Sequence, residues 1–294
     1  MKKTKLVLLL LLILVIPLVN AEECGLTNLA VCLPEKFFGY LLEIVNAPLQ
    51  PFLTLTKNLL SEPVNIDSFV PLWAIIVYVI SLFYGIFIAI AGFNFIISGY
   101  SAEKRELAKE WLKNIILMVV FVQASYYLYS LLLELSSAMT AGVLNSIDPN
   151  FFLLTIDNIR NIGMEITLAV PYLFTLLLTI ILLTLRYLLA ASGVLFFPIG
   201  LFFHFIPSLK SFGKLIMNIL LVIIFMPFFQ SLALLAASKI VLFSAFDNYK
   251  ILVMTTSFIL INISMILLVA FAAIKAAFSV IKSDEAKAIS YIVR

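Results

Sequence analysis

The chain has 294 residues, of which 64% are hydrophobic and 12% are charged, with a formal net charge of +3. This composition and a mean hydropathy of +1.17 exclude a soluble globular protein, because too little polar surface is left to cover an apolar core. The charge is too small to decide between nucleic acid and anionic lipid as a partner. Continuous apolar runs without strict alternation indicate transmembrane helices, since lipid satisfies no backbone hydrogen bond. We therefore predict an all-α polytopic membrane protein with about five transmembrane helices plus a re-entrant or broken helix.

The N-terminal segment, residues 1–21, has the pattern of a secretory signal peptide. Three lysines precede an apolar stretch from Leu6 to Val19, and a small residue, Ala21, stands at the expected cleavage position. An uncleaved anchor helix is the alternative, because the apolar stretch is long for a signal peptide.

Residues 22–66 are exported under both interpretations. They contain both cysteines, Cys24 and Cys32, which are close enough in sequence to close a small loop as a disulfide. Between Leu33 and Leu60 the pattern is amphipathic. It predicts either a helix on the outer membrane surface or a helix packed on the outer ends of the bundle.

The transmembrane bundle, residues 67–281, begins with an apolar run from Phe69 to Ile97. The connector at residues 101–113 is the strongest cytoplasmic signal in the chain, because it concentrates basic residues between two apolar runs. Ser101 is a suitable cap for a helix that continues into a second span, ending at about Leu144.

A third span, Ile166 to about Leu189, places Arg186 near the cytoplasmic end. Residues 190–207 are apolar again, but the positive charges of Lys210 and Lys214 indicate a cytoplasmic position. The 18 residues of this run are too few for two further membrane crossings. We therefore predict a re-entrant hairpin or broken helix there, and a full span with both lysines outside is the alternative. The residues expected at the break are Pro198, Gly200 and Pro207.

Two further spans, residues 215–238 and 251–274, and a tail at residues 282–294 complete the predicted topology. It has five crossings of the cell (inner or cytoplasmic) membrane, with the N-terminus outside and the C-terminus cytoplasmic.

Few polar side chains fall inside these spans. Arg186 is expected to extend to the inner headgroups, and Glu134, near the outer interface, to pair with Lys239. Uncharged polar side chains are expected to form hydrogen bonds between helices, each contributing roughly 1 kcal/mol. The intramembrane polar set is Asn94, Gln123, Glu134, Gln230 and Asn262.

The sequence has no phosphate-binding loop, serine nucleophile elbow or zinc-protease motif, so we predict a non-catalytic protein that needs no cofactor or metal.

Two stretches carry a resemblance to a known group. From Gly85 to Leu133 a span ends at a glycine, a short basic connector follows, and a second span starts at once; residues 185–214 add an arginine start, a proline break and a basic turn. This arrangement resembles the TrbL-like channel subunits of type IV secretion systems and the CedA-like archaeal DNA-import proteins.

The resemblance implies a membrane channel or scaffold subunit of a DNA or protein transfer (conjugation) machine. It implies oligomers, contacts with membrane lipid and other membrane subunits, a separate ATPase, and single-stranded DNA as a candidate substrate. The two alternatives are a structural membrane anchor for an extracellular filament, attached through residues 22–66, and a small-solute transporter. The residues that the resemblance places toward cytoplasmic partners or phosphate groups are Lys104, Arg105, Lys109, Trp111, Lys113, Arg186, Lys210 and Lys214.

Overall fold

The computed structural model describes residues 29–154, 162–243, 246 and 249–281. Over these ranges the chain forms seven α-helices and no β-strand, which confirms the predicted all-α fold. The helices are α1 (Leu29–Ser61), α2 (Val70–Ile97), α3 (Ala102–Gln123), α4 (Ser125–Leu144), α5 (Ile162–Phe205), α6 (Lys210–Ile240) and α7 (Lys250–Ile281). The predicted signal segment, Cys24, the side chain of Cys32 and the tail at residues 282–294 lie outside the described residues.

Five stretches of the described residues are long and apolar enough to cross a membrane, as predicted. The protein is therefore a multi-pass helical membrane protein. The five stretches are Asp67–Ile97, Ser125–Leu144, Thr167–Phe205, Pro207–Ile240 and Lys250–Ala272.

The helices α3 and α4 form one nearly continuous rod. Ser101 caps its start as predicted, since its Oγ accepts the backbone N–H of Lys104 at 3.2 Å. Only Ala124 separates the two helices, and the backbone hydrogen bonds from Ala124 to Val120 and from Leu128 to Ala124 continue the helical pattern across it. The rod is roughly 65 Å long at the usual helical rise.

The helix α5 is continuous over 44 residues, roughly 66 Å. The predicted break at Pro198 and Gly200 is therefore wrong, because both residues lie buried inside this helix. A proline in a membrane helix loses one backbone hydrogen bond, and tight packing against neighbouring helices makes that loss tolerable. The chain reverses later, in the 3₁₀ turn Pro207–Leu209. One long helix thus carries the chain from one side of the membrane to the other before Lys210 and Lys214, and no re-entrant segment is needed.

A close approach of α5 and α6 follows the turn. A Cβ atom built on Gly213 would lie 2.7 Å from the carbonyl oxygen of Gly200 and closer still to the backbone of His204. Only glycine fits this position without moving backbone atoms.

Two clusters of buried apolar side chains lie one above the other along the bundle. The cluster nearer the α5–α6 turn, which we call the turn-side cluster, includes Leu133, Ala190 and Ile224. The second, which we call the far cluster, includes Leu144, Leu183, Leu234 and Phe258. Successive parts of α4, α5 and α6 contribute to both.

The helix α1 packs against α4, α5 and α6, so the bundle-packed alternative for residues 33–60 is the one observed. Its Asn46 side chain fixes the loop after α4: Nδ2 donates to the carbonyl oxygen of Leu154 at 2.8 Å, and Oδ1 accepts the Leu154 N–H at 3.1 Å.

The helices α2 and α7 pack against different parts of α5. The ring of Phe83, near the middle of α2, lies 6.2 Å from that of Phe202. Asn262, near the middle of α7, donates to the carbonyl oxygen of Thr175 at 3.3 Å. The distance from Thr175 to Phe202 along α5 is roughly 40 Å, so the middles of the two apolar helices are displaced by about that distance along the bundle.

Candidate functional site

The basic connector and the α5–α6 turn lie at the same end of the molecule. Trp111 and Ile115 of α3 line a small cavity together with Ile206 and Pro207 of the turn. The middle of α3 therefore lies beside the turn that precedes α6. We call the region formed by the first half of α3, this turn and the first turns of α6 the basic end. It contains most of the residues expected to face partners, of which Trp111 lines the shared cavity: Lys104, Arg105, Lys109, Trp111, Lys113, Lys210 and Lys214.

The charge of the basic end is mixed on α3. Glu103, Glu106 and Glu110 alternate with the basic residues there and share one surface depression with Lys109 and Lys113. Lys109 Nζ donates to Glu106 Oε1 at 2.8 Å, and this hydrogen bond with the lysine charge holds the pKa of Glu106 below its usual value. A polyanion would therefore meet unopposed positive charge mainly at the α6 start.

Arg186 does not belong to the basic end, so the prediction that it faces cytoplasmic partners or extends to the headgroups is wrong. It is 4% exposed, and α5 continues from it to Phe205, a distance of roughly 28 Å. The error follows from ending the third span near Leu189. No hydrogen-bond partner is found for Nε or Nη1 of Arg186 among the described residues.

Arg186 lies in a layer of buried polar side chains between the two apolar clusters. On each of α4, α5 and α6, buried polar residues lie between a residue of the turn-side cluster and a residue of the far cluster along the sequence. We call this set the polar layer. Its members are Ser136 and Thr140 on α4, Arg186 on α5, and Gln230 and Ser231 on α6.

The hydroxyl groups of the polar layer are satisfied, but its two larger side chains are not. Ser136 Oγ donates to the carbonyl oxygen of Ile224 at 2.6 Å, which joins α4 to α6. Gln230 is 1% exposed, and within the described part of the chain neither Nε2 nor Oε1 has a partner. A buried polar group without a partner costs about 1–3 kcal/mol. The polar layer therefore holds unused hydrogen-bonding capacity in the middle of the bundle.

The remaining members of the intramembrane polar set fall into two groups. Asn262 forms the expected interhelical hydrogen bond, to the α5 carbonyl group of Thr175. Asn94, Gln123 and Glu134 are exposed on the outside of the bundle. The expected ion pair of Glu134 with Lys239 is not formed between these two described residues; Glu134 instead accepts a hydrogen bond from Ser130 Oγ at 3.1 Å.

Sequence reasoning missed the buried face of α4. Tyr129, Leu133, Ser136, Thr140 and Leu144 are all buried and recur at intervals of three and four residues. Tyr129 OH donates to the carbonyl oxygen of Ala190 at 2.6 Å and so ties α4 to α5. The helical spacing of the three hydroxyl groups within an apolar span is the signal that could have found this face.

A comparison of the chain with family models, with curated proteins and with solved structures gives no match.

Proposed function

We propose that this protein is a non-catalytic channel or scaffold subunit of a type IV secretion-like machine that transfers DNA or protein across the cell membrane. The observation that carries the proposal is the basic end. Two basic segments separated by about a hundred residues, 101–113 and 210–214, lie toward the same end of a multi-pass bundle, where Trp111 of the first segment and Pro207, shortly before the second, line one cavity. Such an end suits docking of a cytoplasmic partner or of phosphate groups.

The interior of the bundle supports a role as one subunit among several. The turn-side and far clusters fill the space between α4, α5 and α6 with apolar side chains. A translocated strand or chain would then pass between copies of the protein, or between it and other membrane subunits. The energy for transfer comes, in this proposal, from a separate ATPase bound at the basic end.

The proposal is tested first by deletion and purification from the native membrane. We expect the protein to copurify with an ATPase, and we expect its deletion to abolish transfer. Normal DNA and protein transfer in the deletion strain would falsify the proposal.

A second test addresses the basic end directly. Replacing Lys210 and Lys214 with glutamine should lower transfer and ATPase binding while the protein still reaches the membrane at normal levels. The matched control is K239Q, which replaces an exposed lysine far from the basic end and should leave both properties unchanged. Equal loss in K239Q and in the double variant would show that the basic end has no special role.

A further inference from the structure

A cavity of about 300 Å³ lies between α1 and the bundle, at the end opposite to the basic end. Its inner wall is apolar and comes from four helices: Leu60 of α1, Leu144 of α4, Leu234 of α6 and Phe258 of α7. All four side chains are nearly fully buried. The volume is at the lower limit of the roughly 300–1,000 Å³ typical of small-molecule sites.

The mouth of this cavity is polar and carries one basic and one acidic side chain, and these two described residues form no ion pair with each other. Lys57 and Asp148 both line it and are exposed. Asp148 is engaged in an interaction of its own. The ammonium group of Lys57 has no partner among the described residues. A ligand that fits this site is therefore apolar over most of its length and anionic at one end.

The position of the cavity matches the ends of the membrane-crossing helices. Leu144 is the last residue of α4, Leu234 lies shortly before the end of α6 at Ile240, and Phe258 lies two turns after the start of α7. The apolar wall thus faces the edge of the hydrocarbon region and Lys57 faces the headgroup region, where a lysine attracts anionic lipids.

We propose that the cavity binds one acyl chain of an anionic phospholipid, with the lipid phosphate held by Lys57. Phospholipid is the occupant because every lining helix except α1 has a membrane-crossing stretch, so lipid is the amphiphile always present at the mouth. The apolar wall binds the chain by burial of hydrocarbon, and Lys57 selects an anionic headgroup over a zwitterionic one.

The test uses the full-length protein reconstituted in vesicles of equal parts phosphatidylglycerol and phosphatidylcholine. After extraction in mild detergent, native mass spectrometry counts the lipids retained by each chain. We expect one retained phosphatidylglycerol. K57Q should lower its retention about fivefold, the effect of one lysine near a lipid phosphate, and K239Q, an exposed lysine outside the cavity, should not change it.

A second variant tests the cavity itself. N145W places a bulky ring on an exposed residue at the mouth, so it should abolish retention of both lipids while the elution volume and helical content stay unchanged. Retention of no lipid by the unmodified protein would overturn the proposal. So would equal retention of the two lipids, or equal effects of K57Q and K239Q.

Discussion

Replacing Arg186 with methionine should stabilise the protein. Arg186 is 4% exposed, and its Nε and Nη1 atoms have no hydrogen-bond partner among the described residues. An arginine at the centre of a membrane helix costs about 2.5–3.5 kcal/mol on insertion scales. Methionine keeps most of the side-chain volume and adapts to an irregular site, so it removes the charge without leaving a large cavity.

The expected gain in the free energy of unfolding is about 1–4 kcal/mol, the range found when buried ionic groups are replaced by well-packed apolar side chains. Denaturant or thermal unfolding of the protein in detergent measures it. R105M is the matched control, since Arg105 is exposed and its replacement should change stability by no more than about 0.5 kcal/mol. If R186M instead lost about 3–5 kcal/mol, Arg186 would have a charged partner and the reasoning would be wrong.

Three smaller predictions concern single side chains. G213A should prevent normal packing of α5 on α6, because the added Cβ would overlap backbone atoms, whereas G85A has open space around it; their melting temperatures should differ by several degrees. N262L removes the hydrogen bond to α5, worth roughly 0.6 kcal/mol, and also the buried Oδ1 atom of Asn262, which has no partner among the described residues and costs about 1–3 kcal/mol; equilibrium unfolding should therefore show no loss of stability, and a clear loss would contradict this. The lowered pKa of Glu106 means that its pairing with Lys109 stabilises the protein above the ordinary carboxyl pKa, near 4.3, and that this stabilisation is lost as the pH falls through the lowered value. E106Q should therefore have a slightly lower unfolding midpoint than the unmodified protein at neutral pH, and the same midpoint in strong acid, where Glu106 is itself uncharged.

The sequence predicted the membrane-crossing helices well, because a bilayer makes a long apolar run a helix wherever it occurs. It also predicted the start of α3 at Ser101, because helix capping depends only on residues close in sequence. The break at Pro198 failed because the effect of proline in a helix depends on neighbouring helices. No local pattern reports those neighbours.

The candidate site was predicted less completely. The basic residues of the basic end were found from their charge, but the burial of Arg186 depends on how far α5 extends. Whether Gln230 and Asn262 find a hydrogen-bond partner depends on the rotation of each helix about its axis. That rotation is set by long-range packing, such as the hydrogen bond of Tyr129 to Ala190, and a single span does not encode it.

The displacement of α2 from α7 leads to the last prediction. Phe83 contacts Phe202 and Asn262 contacts Thr175, so the middles of the two apolar helices are roughly 40 Å apart along α5. The hydrocarbon core of a bilayer is only about 30 Å thick. Both helices therefore cannot be centred in one flat bilayer in this arrangement. Because the basic end depends on α3 staying beside the α5–α6 turn, we expect α2 and α3 to keep their place and the apolar face of α2 to be covered by another protein subunit.

Cysteine crosslinking distinguishes the two arrangements. A cysteine pair at positions 83 and 202 should crosslink equally well in detergent and in lipid vesicles. A pair at positions 172 and 258, whose rings lie 5.8 Å apart between α5 and α7, should do the same and serves as the control. If the first pair crosslinks in detergent but only weakly in vesicles, the hairpin of α2 and α3 moves along α5 in the membrane and the basic end is lost there. Leaving the apolar face of α2 in water would cost far more than the small net stability of a folded domain, so this face needs a protein cover wherever lipid does not reach it.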